Sequence, residues 1–261
     1  MCVCNGGNFL DESINSILSQ TYGDFDFLII DDGSTDGSSE IIQKYKALDN
    51  RIAVITHDRP LGLGVSLNEG VLKATTQWIA RMDADDVSIN DRLQKQISYI
   101  ENNNVDVIGG WAMDIDEDGC DIDVRRVPSS QSEIYKYVWT CPFIHPSVVF
   151  KRESILKVGS YPLIGRRQDY DLWFRCVAAG LKMANLPEVL IKYRQTGDYY
   201  KKNNWSVTWT KVLMGIKGCW RVKAGPTAYI GVLFPGLRML VPLKHRKTFH
   251  NFSKRFDPRR K

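Results

Sequence analysis

The sequence predicts an α/β domain over residues 1–200, built on a mostly parallel mixed sheet flanked by helices, followed by a helical, basic, membrane-associating appendage over residues 201–261. Three observations carry this. Short β-like apolar runs alternate with amphipathic helical patterns at the spacing of βαβ units. Acidic loops of small residues follow the strands, at the carboxyl ends where open α/β sheets bind ligands. The composition, 43% apolar, 25% charged and 11% aromatic in 261 residues, is that of an ordinary globular protein and argues against disorder, collagen and coiled coil.

The elements follow in order. Only Met1–Cys4 precede the loop Asn5–Asn8, so the first strand reads as short, either because the protein begins upstream or because the sheet tolerates a short central strand. Phe9, Leu10, Ile14, Ile17 and Leu18 recur at helical spacing, and Phe25–Ile30 is a buried strand stopping at Asp31. Residues 31–38 are dense in turn and cap residues ahead of a helix carrying Ile41, Ile42, Tyr45 and Leu48. Ile52–Thr56 reads as a strand, Val65–Ala74 as a helix, Trp78–Met82 as a strand and Asp91–Asn102 as a helix. Beyond residue 105 the alternation weakens, which predicts a mixed second half. Val105–Ile108 and Ser147–Phe150 are strand-like, Asp118–Gly119 is a turn, and Gln168–Ala179 is a helix stopped by Gly180.

Charge is divided unevenly. Residues 1–220 hold 24 Lys and Arg against 29 Asp and Glu, whereas residues 221–261 hold 11 basic side chains against Asp257 alone. Such a tail seeks an anionic surface. The six cysteines form no CxxC pair and no Cys/His cluster of zinc spacing, so they read as plain thiols. Met1–Gly7 has neither a basic start nor an apolar stretch, which leads us to expect no signal peptide and a reducing cytoplasm.

The strongest chemical signal is Arg81-Met82-Asp83-Ala84-Asp85-Asp86, directly after a strand. Two carboxylates about 5 Å apart repel by about 3 kcal/mol at an effective dielectric near 20, so something must compensate. A divalent cation with oxygen ligands does, and Mg²⁺ takes one or two protein carboxylates together with substrate phosphates, which implies a nucleotide diphosphate. In an extended segment Asp83 and Asp85 share a side and one ligand; a solvated turn capping the next helix is the alternative. The pair Asp31-Asp32 either accepts hydrogen bonds from a ribose hydroxyl or base N–H, or caps the helix after it.

Asn5-Gly6-Gly7-Asn8-Phe9-Leu10, Ser16-Ile17-Leu18-Ser19-Gln20-Thr21, Asp31-Asp32-Gly33-Ser34-Thr35-Asp36, the Gly62–Gly70 loop and helix, and Met82-Asp83-Ala84-Asp85-Asp86 together resemble the successive motifs of the family 2 glycosyltransferases, over about residues 1–195. The resemblance implies a GT-A fold and an inverting transfer from a nucleotide-diphosphate sugar, a UDP-sugar first among them. It implies that Asn5, Asp31, Asp32, Asn68, Arg81 and Asp83 line the donor cleft, and that Asp83 and Asp85 form the DXD element holding Mn²⁺ or Mg²⁺, with Asp85 the more direct ligand. Arg166-Arg167-Gln168-Asp169-Tyr170-Asp171-Leu172-Trp173 resembles the family's Glu-Asp-Tyr-Asp-Leu-Trp segment, whose first Asp is the catalytic base; Asp169 takes that role here, with Gln168 where Glu is usual. His145, in a further family-like stretch, and Trp173 would border the acceptor.

The tail selects the partner. Ala224–Leu243 is mainly apolar, but Arg238 and three prolines argue against a spanning helix and for an interfacial or re-entrant segment. The basic residues Lys244–Lys261 suit anionic lipid on the cytoplasmic face, and an apolar run of this kind argues against nucleic acid. We therefore expect a peripheral or monotopic protein at the inner face of the cell membrane, acting on a glycan or polyprenyl-linked acceptor in cell-surface polysaccharide synthesis. The rival readings are a nucleotidyltransferase making nucleotide sugars, which would carry a basic Gly-rich phosphate loop where Asn5–Asn8 has no Lys or Arg, and a non-catalytic membrane scaffold retaining the fold.

Overall fold

A computed structural model describes residues 1–164, 167–195 and 205–239. Arg166 and the basic tail from Leu240 onward lie outside the described residues, as does the side chain of Trp205.

The first half follows the alternation. The strands β1 (Cys2–Val3), β2 (Phe27–Asp31) and β3 (Ile52–Thr56) form a parallel sheet in the order β1-β2-β3. They are connected through α1 (Leu10–Leu18) and α2 (Ser38–Leu48). Leu10, Ile14 and Ile17 fall on one face of α1 and pack with Ile29 of β2 and Ile42 of α2 in one buried cluster. The next elements are α3 (Leu63–Lys73), β4 (Trp78–Ala80), β5 (Val87–Ser88) and α4 (Arg92–Asn102).

The second half is mixed, as the weakening alternation predicts. It comprises β6 (Val107–Ile115), β7 (Asp121–Arg125), α5 (Gln131–Lys136), β8 (Val149–Lys151), α6 (Arg152–Lys157), α7 (Gln168–Ala178) and β9 (Met183–Arg194). The second sheet runs β4-β8-β6-β9-β5, with β7 paired to β6. Its pairings are antiparallel except β6 with β9. The physical reason is local: β6 and β7 join through a tight turn at Asp116–Cys120, which needs no crossover helix, and β5 and β8 are too short to impose a βαβ unit. A parallel bridge between Cys2 and Asp83 ties the two sheets together.

The C-terminal helices α8 (Trp205–Arg221) and α9 (Pro226–Met239) form a hairpin on the body. Val212, Cys219, Ala228 and Val232 are buried in the same cluster as Trp173 and Phe174 of α7. Gly218 permits this approach, because a Cβ there would stand 2.3 Å from the Phe174 ring. Of the interfacial and re-entrant expectations for Ala224–Leu243, the re-entrant one is corrected over the described part: α9 is a surface helix whose inner face, Ala228 and Val232, fills the core. No described helix is long and apolar enough to cross a membrane.

Candidate active site

β4 ends one residue before Arg81, and the chain then turns. Arg81 N–H donates to Val148 O at 2.9 Å, Ser13 Oγ donates to Asp83 O at 2.9 Å, and Ala84 and Asp85 form a turn. The extended geometry expected for residues 83–85 is not present. The turn instead gathers three carboxylates, Asp83, Asp85 and Asp86, with one oxygen from each within 4.8 Å of the others. At that separation each ionised pair repels by about 3.5 kcal/mol at an effective dielectric near 20.

The surroundings respond to this repulsion. Burial, then the charge of Asp83, raises the Asp85 pKa above its ordinary value. Burial, then Asp83 and Asp85, pushes Asp86 well above it, and Asp86 Oδ2 is a buried oxygen with no partner among the described residues. Arg81 is buried and ion-paired with Asp83. Burial alone would lower its pKa, but the attraction of Asp83 raises it. Behind it lies Arg92, fully buried, whose guanidinium donates to Arg81 O at 2.9 Å, to Gln96 Oε1 at 3.0 Å and to Met82 Sδ at 3.6 Å. Burial and the nearby Arg81 pull its pKa down to about 9.

Sequence reasoning missed Arg194, at the end of β9. Its N–H donates to Asp86 Oδ1 at 2.8 Å, Nε to Asp85 O at 2.9 Å, Nη1 to the carbonyls of Asp116 and Glu117 at 3.1 Å, and Nη2 to Glu12 Oε2 at 2.5 Å. No local pattern marks this residue, because its partner Asp86 is 108 positions away.

The loops after β1 and β2 form a second wall. Asn5 has a left-handed backbone and accepts from Thr35 N–H at 2.8 Å, while Gly6 and Gly7 N–H donate to Ser38 Oγ and Asp36 Oδ2 at 2.9 Å. Asp31 is buried and accepts from Ser34 N–H and from the Ser39 hydroxyl. Gly33 is needed here: its φ is +67° and a Cβ would stand 2.5 Å from the Arg59 backbone. Asp32, also buried, accepts from Leu61 and Gly62 N–H at 2.8 Å and faces His57 Nδ1 at 2.8 Å. Burial acts to raise the Asp32 pKa, but these bonds and one from Ser66 prevail and hold it below the usual range. His57 Nε2 lies 2.8 Å from Glu69 Oε2, so the imidazole spans two carboxylates, and the Asp32 bond foremost raises its pKa. The same helix α3 carries Asn68, half-buried one turn beyond Gly64.

The third wall is the start of α7. Asp169, half-buried in its first turn, accepts from Cys141 Sγ at 3.4 Å. Gln168 is buried, with its Cγ 3.2 Å from where a Gly64 Cβ would be. His145 Nε2 lies 2.8 Å from the Tyr161 hydroxyl, and the imidazole sits edge-on to Trp173 at 6.2 Å. Burial, then Arg81, drops the His145 pKa well below its ordinary value, so the ring is neutral. Trp173 is fully buried and packs on Phe143 at 4.8 Å. It offers no surface to an acceptor, and its place is underneath the His145 wall. Tyr161 is buried beside His145: burial raises its pKa, Arg81 opposes that, and Asp169 adds to it.

A cavity of about 990 Å³ also opens between the two sheets, lined by Ile30, Leu67, Val71, Ile79 and Phe150 and reaching Arg81 and Tyr161 at one end. None of the four carboxylates Asp83, Asp85, Asp86 and Asp169 lines it.

Comparison with known proteins fits this arrangement. The family model described as Glycosyl transferase family 2 matches residues 1–159. The O-antigen biosynthesis glycosyltransferase WbnJ of Escherichia coli is 36% identical over 199 residues, covering 74% of this chain and 77% of the relative. The amylovoran biosynthesis glycosyltransferase AmsE of Erwinia amylovora is 32% identical over 200 residues, covering 76% of this chain and 75% of the relative. Among solved structures, S. aureus TarS 1–349 in complex with UDP-GlcNAc superposes with a TM-score of 0.69 at 15% identity, over 94% of this chain and 76% of that one, a likeness of fold.

Proposed function

This chain belongs to glycosyl transferase family 2, and on that premise we propose that it is an inverting transferase moving a sugar from a nucleotide diphosphate, a UDP-sugar first among donors, to a hydroxyl of a glycan or polyprenyl-linked acceptor. The observation that carries the reading is the convergence of the Asp83, Asp85 and Asp86 carboxylates in one turn. A UDP-sugar is supported by the fold shared with TarS, solved with UDP-GlcNAc. The names of WbnJ and AmsE support a place in bacterial surface polysaccharide synthesis.

The residues present fit a divalent cation. Three carboxylate oxygens converge, and Asp86 keeps a buried oxygen with no partner among the described residues, a donor set suited to Mg²⁺ or Mn²⁺. Asp83 and Asp85 of the DXD element would hold the ion, with Asp86 supporting the turn from its bond to Arg194 N–H. When bound, the ion supplies positive charge to the leaving diphosphate.

This chain's own residues do the rest. Asp31, Asp32 and Asn5 shape the nucleoside wall, and Asn68 and Arg81 line the cleft beside it. Asp169 accepts the proton of the acceptor hydroxyl while that oxygen bonds to the anomeric carbon, on the face opposite the breaking bond to the diphosphate; one displacement inverts the centre. Neutral His145 borders the acceptor and takes no proton near neutral pH. The C-terminal segment 201–261 would attach the enzyme to the anionic inner face of the cell membrane, where a polyprenyl-linked acceptor resides.

The test is Asp169→Asn. Positioned general bases contribute about 10²- to 10⁴-fold, so transfer should fall by that factor while donor affinity measured by titration calorimetry stays within about twofold. Unchanged turnover would remove Asp169 as the base.

A further inference from the structure

We propose that the outer face of the α8–α9 hairpin is a membrane-docking surface, seated on anionic lipid with its tryptophans at the headgroup level. The proposal builds on the membrane reading of the tail above but assigns the contact to a folded face.

On α8, Trp209, Leu213 and Trp220 are 51%, 61% and 78% exposed. Their spacings of four and seven residues place them in one stripe, about 16 Å long at the helical rise. The opposite face is spent: Val212 and Cys219 are buried, Gly215 abuts the Tyr170 hydroxyl, and Gly218 abuts the Phe174 ring. The stripe is therefore not left over from poor packing; α8 uses one side for the core and presents large apolar groups on the other. α9 adds exposed Ile230 and Leu233, and its Gly236 lies against the Trp209 ring, so the two helices contribute to a joint surface. A helix with a filled inner face and an outer face of Trp and Leu matches one lying in a bilayer interface, where the amphipathic indole is favoured.

Charge decides the occupant. Residues 199–256 contain 12 Lys and Arg and not one Asp or Glu. Lys217 and Lys223 are exposed beside the stripe. A long stretch of sequence without a carboxylate, carrying an apolar face, complements a surface that is apolar beneath an anionic layer. A second copy of this chain would bring like charge against like.

The face is coupled to the site through packing. α8 rests on α7, whose first turn carries Asp169, so seating the hairpin fixes that helix with respect to the bilayer. A hydroxyl on a lipid-linked acceptor is then met near the membrane surface and not in bulk solution.

The test uses the full chain in flotation with phosphatidylcholine vesicles, with and without a quarter phosphatidylglycerol. Wild type should float with the anionic vesicles only, and added salt should weaken this. Trp209→Ser/Trp220→Ser should bind at least about tenfold more weakly while donor hydrolysis in solution is unchanged. Trp220→Ser alone, at the most exposed position, gives an intermediate loss and guards against misfolding of the double variant. Wild type that ignores anionic vesicles, or a double variant that floats as well as wild type, overturns the proposal; so does light scattering that finds a wild-type dimer and a monomeric variant. Asp169→Asn should float like wild type, so failure of the transfer reading is seen in turnover and failure of the docking face in flotation.

Discussion

His57 gives a prediction whose size follows from the geometry. Its imidazole bridges Asp32 and Glu69, each at 2.8 Å, and the side chains of His57 and Asp32 are nearly buried while Glu69 is 28% exposed. A charge-assisted hydrogen bond to a buried carboxylate contributes about 1.5–3 kcal/mol. The arm to the more exposed Glu69 is screened and adds about 0.3–1 kcal/mol. His57→Ala should therefore cost about 3 kcal/mol, which for a chain of this size lowers the melting temperature by about 6–12 °C. The pH dependence has a definite sign. The folded pKa is raised above the ordinary value of about 6.5, so the stabilisation is full below that value and is lost as pH rises through the folded pKa. Asp32 works oppositely: its pKa is depressed, and its contribution is lost only in acid, below its ordinary value near 4. Melting curves of wild type and His57→Ala across about pH 5.5 to 9.5 would measure this. The gap should be widest near the acid end and narrow toward the alkaline end. A gap independent of pH, or smaller than about 1 °C, would refute the bridging imidazolium.

Three further outcomes are expected. Gln168→Glu places a second carboxylate beside Asp169 in a buried setting, so the acid limb of the pH–rate profile should move to higher pH, because a like charge raises the neighbour's pKa. Arg194→Ala keeps the backbone bond to Asp86 but removes the guanidinium from the carbonyls of Asp85, Asp116 and Glu117 and from Glu12, and should cost about 1–3 kcal/mol in denaturant unfolding, with weaker Mn²⁺ binding; Arg194→Lys, which cannot reproduce the forked contacts, should recover only part of it. Chelation of divalent metal should abolish transfer, and readdition of Mn²⁺ should restore it.

What could be read in the sequence was whatever is encoded over short separations. The strand Ile52–Thr56, the helix from Gln168 and the acidic cluster after β4 each follow from periodicity, caps or adjacency within a few residues. Family resemblance added roles that no spacing could supply, such as a base at Asp169 in place of a helix cap. The tertiary structure decided what depends on distant pairings. Residues 83–85 turn because Asp83 bridges Cys2 and because Ser13 holds its carbonyl, and that turn adds Asp86 to the cluster. Arg194 holds the Asp86 carboxylate through its backbone N–H and the Asp85 carbonyl through its guanidinium, from a strand that periodicity did not reveal, and Trp173 is removed from any acceptor by the burial of α7 beneath α8. In each case the deciding partner lies tens of residues away, where local propensity is silent and packing, charge and hydrogen bonding select the arrangement.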